Sequence, residues 1–520
     1  MDTQALWHAG LDGDSGTGFL QQVDRIRSES SRTLNPTRKA AMGQFFTPVP
    51  VARLMASMLE CRAREVRILD AGAGIGSLTA ACVAELCCRP AKPARVCVSA
   101  YELDEHLLAR LHRVLGMCEA ECRRNGIAFR ADVFREDFIG AAARAVQPAL
   151  FSGDGCGSFT CAILNPPYRK VHSASATRAR IRDLGIETSN LYAGFVAAAV
   201  RLLQPRGELV VISPRSFCNG PYFRAFRRAF LADMTIRRLH LFEARDRAFR
   251  DDGVLQENVV ICAAKDAAKR QAVVVTVDRG DRGAPYDCRT VPWEQVVRPD
   301  DPDLFIHIPS GGRDDGGALA ALLRTSLGEL GIQVSTGRVV DFRAKEFLRR
   351  EAVPGTVPLI YPAHFVDGYV AWPQPNIRKP TAIAAVERTV QLLVPNSHYV
   401  VVKRFTSKEQ VKRVVAAVHD PERIPHDLVG FENHVNYFHR YGRGLDPREA
   451  RGLAAFLNTT WVDAYFRQFN GHTQVNAADL RYLAYPTEEQ LVEIGASVPV
   501  RFPCQEEIDR LVEKVLLSDE

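Results

Sequence analysis

Strand-like and helix-like patterns of apolar residues alternate along the first half of the chain. The short β-rich runs lie at 66–69, 96–101, 128–132, 162–164, 208–213, 235–242 and 258–264. Between most of them, apolar residues recur at helical spacing, and Gly and Pro mark short turns. This alternation predicts an α/β fold, a doubly wound and mostly parallel sheet that binds ligands at the carboxyl ends of its strands.

The pattern changes after about residue 270. Residues 271–310 alternate only weakly, and 310–317 read Ser-Gly-Gly-Arg-Asp-Asp-Gly-Gly, which is typical of a linker. Short β-like runs follow, and a terminal helix is predicted at Cys504–Leu517. We therefore predict four parts: an N-terminal helical segment at 1–40, an α/β domain at 41–270, a connection at 271–317 and an α+β domain at 318–520.

The composition is that of an ordinary soluble globular protein. The 520 residues are 46% hydrophobic and 25% charged, and no apolar run approaches the length of a membrane span. The N-terminus lacks a basic segment followed by an apolar one, so we expect a cytoplasmic protein with no membrane partner. The 13 cysteines form no CxxC pair and no Cys/His cluster at zinc spacing, which predicts reduced thiols and no metal site.

Positive charge is dense in one segment of the second half of the chain. The net charge of +6 permits a polyanionic partner without requiring one. Residues 341–413, however, hold twelve Lys and Arg against six Asp and Glu, including the pair Lys403-Arg404. Such pairs indicate either a nucleic-acid surface or an ordinary solvated face.

The fourth strand-like run ends in Asn165-Pro166-Pro167-Tyr168. The two prolines fix two φ angles and remove two backbone donors, so the turn is stiff and its carbonyls are free to accept. The Asn165 side-chain oxygen and a backbone carbonyl could accept both N–H groups of an exocyclic amine, while the planar ring stacks on Tyr168. An ordinary strand-to-loop turn is the alternative.

Acidic residues and glycines end the first three strand-like runs. Asp70 precedes glycines at 72, 74 and 76 and a predicted helix, which indicates a nucleotide-type pocket. The acid favours a ligand with a positive group over a pyrophosphate. Glu102 ends the second run, where a carboxylate can accept from both ribose hydroxyls, and Asp137-Phe138 follows the third, where it could bind and stack on an adenine.

A Phe-Phe pair precedes the first helix of the α/β domain. Phe45-Phe46 is followed by Thr47-Pro48, an N-cap and first-turn pair for a helix predicted at Val51–Leu59. Capping does not explain an exposed Phe-Phe. We expect it to belong to a loop laid over a ligand.

Taken in order, these blocks resemble the adenine-N6 DNA methyltransferases of type II restriction-modification systems, with the gamma-type order of cofactor blocks, catalytic block and recognition domain. The resemblance covers about residues 40–265 and implies S-adenosylmethionine as cofactor. The cofactor contacts that it implies are Phe46, Thr47, Asp70, Gly72, Gly74, Gly76, Glu102, Leu103, Asp137, Phe138 and Asn165. The catalytic residues that it implies are Asn165, Pro166, Pro167 and Tyr168. Asp132 competes with Asp137, which we prefer because Phe138 follows it.

The C-terminal half adds a second resemblance. Phe469–Asn476 followed by Asp479-Leu480 is similar to a block in the recognition domain of these enzymes, in the subgroup that modifies CTGCAG. A polar loop before a helix is the alternative. The resemblance implies a double-stranded DNA partner and a cognate restriction endonuclease as functional partner. The DNA-binding candidates are Phe249, Lys403, Arg404, His472, Thr473, Gln474 and Asn476.

The expected function is methyl transfer to a flipped adenine. The C-terminal domain is expected to recognise the DNA sequence. The family often clamps the flipped base with an aromatic residue in a late loop, where this chain has Val254-Leu255, with Phe249 slightly earlier. Three alternatives stay open: methylation of RNA adenine, methylation of protein glutamine, and a DNA-binding module with an inactive core. The C-terminal domain disfavours the second, and the intact acidic and catalytic blocks disfavour the third.

Overall fold

The computed structural model describes residues 17–33, 45–146, 159–242, 257–265, 272–278, 286–309 and 323–518, apart from 173, 300, 324, 376, 407–409 and 472. The chain divides into two compact units, Met1–Ser310 and Gly311–Glu520. Among the residues described, no helix combines the length and apolar character needed to cross a membrane.

The first unit is built on a sheet to which the described residues contribute nine strands. These are β1 (Glu65–Ala71), β2 (Arg95–Tyr101), β3 (Ala128–Phe134), β4 (Phe159–Leu164), β5 (Leu203–Pro214), β6 (Met234–Phe242), β7 (Asn258–Lys265), β8 (Ala272–Asp278) and β9 (Asp287–Pro292). Their order is β3-β2-β1-β4-β5-β7-β6-β8-β9. Strand β7 is antiparallel to β5 and β6, β9 is antiparallel to β8, and the other pairings are parallel.

Helices cover both faces of this sheet. They are α1 (Thr17–Thr33), α2 (Val49–Ser57), α3 (Ser77–Cys88), α4 (Glu105–Arg124), α5 (Phe138–Val146), α6 (Ala176–Asp183), α7 (Leu191–Leu202), α8 (Ser216–Asn219), α9 (Arg224–Asp233) and α10 (Trp293–Val296). Along β4, Cys161 and Ile163 pack with α1–α4, whereas Ala162 and Leu164 pack with α5–α7. Both faces are therefore buried, which explains the continuous apolar run in β4.

The α/β class and the predicted run positions are confirmed, with two corrections. Strands β8 and β9 come from the stretch predicted as a connection, and they join the sheet of the first unit. Strand β5 also begins at Leu203, five residues before the run predicted at 208–213. The predicted linker at 310–317 lies outside the described residues.

The second unit holds short strands in two sheets. Its strands are β10 (Gln333–Thr336), β11 (Leu348–Arg349), β12 (Thr356–Ile360), β13 (Phe365–Val366), β14 (Tyr369–Val370), β15 (Ala382–Ala384), β16 (Leu393–Pro395), β17 (Tyr399–Lys403), β18 (Ala416–His419), β19 (Leu428–Phe431) and β20 (Val435–His439). Within the described residues, the orders are β10-β20-β17-β18-β14-β13 and β11-β15-β12-β19-β16. One apolar cluster joins residues of both sheets, among them Val401 of β17 and Val429 of β19, and a second cluster lies around β12, β15 and β16.

The helices of the second unit mostly follow its strands, whereas one lies between β15 and β16. They are α11 (Glu387–Val390), α12 (Pro447–Leu457), α13 (Thr460–Phe469), α14 (Ala477–Tyr482), α15 (Glu488–Ser497) and α16 (Gln505–Leu517). Helix α12 starts where sequence rules place it, since Asp446 caps the backbone N–H groups of Arg448 and Glu449 and Pro447 occupies the first turn. This unit has the mixed α and β content predicted for the C-terminal domain.

Candidate active site

Asn165 directly follows β4, at the edge where the strand order reverses between β1 and β4. Its amide nitrogen donates to the Phe45 carbonyl at 2.8 Å and to Thr47 Oγ1 at 3.0 Å. Its amide oxygen accepts the Tyr168 hydroxyl at 2.9 Å. Because the Phe45 carbonyl can only accept, these bonds fix which end of the amide is nitrogen. The Asn165 oxygen keeps a second acceptor position for a ligand.

The Tyr168 side chain holds Asn165 in position through a hydrogen bond. Its single hydroxyl proton is shared between Asn165 Oδ1 and the Ile212 carbonyl of β5, which lies 3.2 Å away. Its ring lies 6.0 Å from Phe45 and 6.1 Å from Tyr192, centroid to centroid. Burial raises the pKa of the Tyr168 phenol, so the hydroxyl stays a neutral donor. Tyr168 thereby ties the turn after β4 to strand β5.

Thr47 does not cap helix α2, contrary to the sequence expectation. Pro48 is the N-cap residue, and no side chain caps the helix there. The buried Thr47 hydroxyl instead accepts from Asn165. The Thr47 hydroxyl thus binds Asn165, which is distant in sequence, and does not cap the helix.

A cleft opens beside Asn165 at the carboxyl ends of the strands. Its lining combines aromatic rings, glycine backbone and carboxylates. The lining residues are Phe45, Phe46, Gly72, Gly74, Tyr101, Glu102, Leu103, Leu107, Glu136, Asp137, Phe138, Asn165, Pro167, Arg169, Thr177, Leu191 and Phe195. We call this the switch-point cleft, since it lies where a doubly wound sheet binds its ligand.

Most residues predicted from the motifs line this cleft, and five do not. Those that line it are Phe46, Gly72, Gly74, Glu102, Leu103, Asp137, Phe138, Asn165 and Pro167. Those outside its lining are Thr47, Asp70, Gly76, Pro166 and Tyr168. The Phe46 ring is buried, whereas an exposed ring was expected. It packs against Gly74, where an added Cβ would lie 3.3 Å from the ring.

Asp70 and Gly76 flank the glycine loop and pack against helices α3 and α4. The Asp70 carboxylate is fully buried and accepts the Thr79 hydroxyl of α3 at 2.6 Å. Gly76, at φ +87°, forms the N-cap of α3, and a Cβ there would lie 3.0 Å from Leu111. Neither residue lines the cleft, so the expected contact of Asp70 and Gly76 with a cofactor stays a prediction. Burial raises the pKa of Asp70 to about 6.

Replacing Asp70 with Asn is expected to change the pH dependence of stability. The unfolded carboxyl ionises near pH 4 and the folded one near pH 6, so the wild-type protein loses about 3 kcal/mol from this group as pH rises through that window. Asp70→Asn should flatten this loss, as measured by urea unfolding at pH 4.5 and 7. Ligand affinity should stay within about threefold of wild type. An unchanged pH profile would contradict the buried, neutral carboxyl.

Glu102 ends β2 inside the cleft, 5% exposed. Its two carboxylate oxygens accept from the backbone N–H groups of Gly74 at 2.8 Å and Asp104 at 2.7 Å. Each oxygen retains a further acceptor position toward the cleft. Burial raises the Glu102 pKa to about 7, although the two backbone hydrogen bonds lower it in part. A ligand that donates to Glu102 therefore binds best once the carboxyl has ionised.

Asp137 also lines the cleft, directly before α5. One carboxylate oxygen, Oδ2, accepts from Arg180 Nη1 at 2.9 Å and from the Gly140 N–H at 3.1 Å. Arg180 is on α6, whose Ile181 packs closely over Gly194 of α7. Asp132, the competing candidate, pairs with Arg130 and does not line the cleft. The structure thus favours Asp137 over Asp132.

Sequence reasoning missed several lining residues. The aromatic ones form a row, since the Tyr101 and Phe138 rings lie 5.1 Å apart and the Phe138 and Phe195 rings 5.3 Å apart. Tyr101 could have been found as the neighbour of Glu102 at a strand end. Arg169 and Thr177 follow the catalytic block but belong to no local pattern.

The second unit brings two predicted DNA-binding segments together. The Val475 N–H donates to the Arg404 carbonyl at 2.8 Å, the Thr406 N–H donates to the Thr473 carbonyl at 3.2 Å, and Phe405 forms an antiparallel bridge with Gln474. We define the basic aromatic patch as Arg404, Phe405, His434, Thr473 and Gln474. His434 is included because the Arg404 N–H donates to the His434 carbonyl at 2.9 Å.

Other candidates in this unit have structural partners. The Asn476 backbone and side-chain N–H groups both donate to Asp479 Oδ2, and this caps α14. Lys403 is partly buried over the Phe365 ring, and burial lowers its pKa. Phe249 and His472 lie outside the described residues. In the described part of the chain, no cluster of three or more His, Cys, Asp or Glu side chains could hold a metal ion.

Comparison with known proteins identifies relatives along nearly the whole chain. Residues 123–249 match the family model of the Eco57I restriction-modification methylase. The chain is 41% identical over 495 residues to the type II methyltransferase M.PstI of Providencia stuartii, covering 95% of this chain and 96% of the relative. It is 43% identical over 510 residues to the type II methyltransferase M.BsuBI of Bacillus subtilis, covering 97% and 99%.

A solved structure supports the same fold. The type IIL restriction-modification enzyme MmeI, determined in complex with DNA, has a TM-score of 0.53 to this chain at 11% identity, covering 96% of this chain and 73% of that chain. The two relatives above 40% identity confirm the family inferred from the order of the motifs. The chain belongs to the type II DNA methyltransferases of restriction-modification systems.

Proposed function

We propose that this enzyme methylates the N6 amine of a target adenine in duplex DNA. The observation that carries the proposal is the fixed orientation of the Asn165 amide. Asn165 lines the switch-point cleft, and its amide oxygen has one acceptor position left over. An adenine amine has two N–H groups and is conjugated with its ring. A site that accepts both N–H groups favours a pyramidal nitrogen with a localised lone pair.

The base is expected to enter this site by flipping out of the duplex. Asn165 Oδ1 then accepts one amine hydrogen and the Pro166 carbonyl accepts the other, as the proline-rich turn frees its carbonyls. These fixed dipoles stabilise the positive charge that develops on the amine nitrogen in the transition state. Tyr168 holds Asn165 in place and offers its ring to the base.

S-adenosylmethionine fits the residues that line the rest of the cleft, and when bound it supplies an activated methyl group. The backbone at Gly72 and Gly74 permits close approach of a ligand, since neither residue carries a Cβ. Glu102 would accept from the ribose hydroxyls, and the free oxygen of Asp137 would accept from the adenine amine. The rings of Phe46 and Phe138 supply the apolar walls.

Cofactor affinity is expected to rise with pH. The Glu102 pKa of about 7 means that much of the carboxyl is protonated at pH 6, whereas ribose hydroxyls donate to the ionised form. Affinity should therefore increase by up to about tenfold per pH unit below pH 7 and level off above it. Isothermal titration with S-adenosylmethionine at pH 6, 7 and 8 measures this. Glu102→Gln should bind more weakly with no pH slope, and a flat wild-type profile would refute the role of Glu102.

DNA recognition is assigned to the second unit, through the basic aromatic patch. From the resemblance of the 469–476 block, we propose CTGCAG as the modified sequence and a restriction endonuclease of the same specificity as functional partner. The relatives' membership in restriction-modification systems supports the DNA substrate.

Methylation-sensitive sequencing of DNA from cells that express the protein tests the whole proposal. We expect N6-methyladenine at one position of a single sequence, and none in cells that express Asn165→Ala. Methyl groups on cytosine would refute the adenine assignment. Methylation of RNA without DNA would refute the substrate.

A further inference from the structure

His434 is held in the basic aromatic patch by a buried carboxylate. It lies just before β20, and its Nδ1 is 2.6 Å from Glu432 Oε1, while Glu432 Oε2 accepts the His434 backbone N–H at 2.9 Å. The Glu432 side chain is completely buried, whereas that of His434 is 39% exposed. Because a carboxylate only accepts, the Nδ1 atom carries the proton, and the ring cannot flip without losing this bond.

The opposite edge of the ring, which carries Nε2, faces away from Glu432. In the described part of the chain, Nε2 has no hydrogen-bond partner within the protein, so its hydrogen-bonding capacity is available to a ligand. Burying the Glu432 carboxylate is costly unless its oxygens accept hydrogen bonds, and His434 provides one bond to each oxygen. The chain thus uses a buried acid to present one imidazole edge at a fixed angle.

The surroundings of this edge match those of a nucleic-acid surface. The Phe405 ring, 43% exposed, lies 4.8 Å from the His434 ring, centroid to centroid. The Arg404 guanidinium lies 5.7 Å from the Phe405 centroid and donates to the Asn433 carbonyl at 3.0 Å. Thr473 and Gln474 lie on the segment bonded to this one. Polar edges, a cation and an aromatic face are the groups that contact phosphates and bases.

We propose that His434 is a specificity-determining residue that reads one base pair of the recognition sequence through Nε2, and that Glu432 is its positioning residue. This inference rests on the proposed DNA-methylating function and extends it to a residue that no sequence motif indicated. A fixed tautomer matters for reading, because a ring that can rotate offers a donor and an acceptor indiscriminately. Arg404 in the same patch would contact phosphate and set the register.

The test measures single-turnover methylation on a set of duplexes, each with one base-pair substitution in the sequence that the wild-type enzyme modifies. His434→Ala is expected to reduce discrimination at one position by about tenfold or more and to leave the other positions unchanged. Glu432→Gln retains an acceptor for Nδ1 and should relax the same position by less. Melting temperature and S-adenosylmethionine affinity are measured for each full-length variant.

His426→Ala is the matched control, since that imidazole is also partly exposed and lies 5.2 Å from the Trp372 ring without a buried carboxylate partner in the described residues. It should leave discrimination as in wild type. Equal loss on all duplexes, an unchanged pattern in His434→Ala, or the same relaxation in His426→Ala would each overturn the reading role. Wild-type enzyme that methylates no duplex would instead overturn the proposed function itself.

Discussion

Asn165→Ala is expected to lower the rate of methyl transfer by about 100- to 1,000-fold, the loss typical when a fixed dipole that stabilises transition-state charge is removed. In the proposed mechanism the Asn165 amide oxygen is the acceptor that localises the lone pair of the target amine. No other side-chain amide lines the switch-point cleft in the described part of the chain. Single-turnover methylation of a duplex at saturating cofactor measures the chemical step directly.

Cofactor affinity provides the control for this result. Asn165 also donates to Phe45 and Thr47, and the loop at 45–47 lines part of the cleft, so some loosening of the cofactor is expected. We expect a loss of no more than about tenfold in S-adenosylmethionine affinity, because these bonds act on the loop and each is worth about 1 kcal/mol. Thr47→Val is the matched variant, since it removes one anchor of the amide but keeps its oxygen.

The two outcomes for these variants separate the roles. Thr47→Val should lose about two- to tenfold in rate. If Asn165→Ala methylates at a similar rate to Thr47→Val, then Asn165 is an anchor for the loop and the proposed transition-state role is wrong.

The sequence located the site because its motifs mark strand ends. Asp70, Glu102 and Asn165 follow or end three runs that became β1, β2 and β4, and parallel strands place their carboxyl ends at one edge. The direction of each side chain at that edge was harder to predict from the sequence. Asp70 shares its side of β1 with Ile68, whose side chain packs under α3, so strand alternation turns the carboxylate inward toward Thr79.

Long-range pairing limited the prediction elsewhere. Strand β9 lies at the edge of the described sheet and has several partly exposed residues, so its pattern resembles that of a loop. In the second unit, residues 404 and 474 were predicted separately, and only the tertiary hydrogen bonds show that they lie side by side. His434 carried no sequence signal, because its partner Glu432 becomes significant only once the fold buries it.

Tyr168 is expected to contribute through its hydroxyl and through its ring, and two substitutions separate these contributions. Tyr168→Phe removes the bonds to Asn165 and to the Ile212 carbonyl but keeps the ring packed near Phe45, so we expect a rate loss of about three- to tenfold. Tyr168→Ala also removes the stacking surface, which should weaken capture of a flipped base by about 1–3 kcal/mol. Fluorescence titration with 2-aminopurine at the target position measures that capture.

A double-mutant cycle then tests whether the Tyr168 hydroxyl works through Asn165. If it acts by holding the amide oxygen at 2.9 Å, Tyr168→Phe should have almost no further effect on the rate of methyl transfer in the Asn165→Ala background. If it acts independently, through the Ile212 carbonyl, the two losses should multiply. Multiplying losses would show that Tyr168 does not orient Asn165, and 2-aminopurine fluorescence unchanged in Tyr168→Ala would show that its ring does not bind the base.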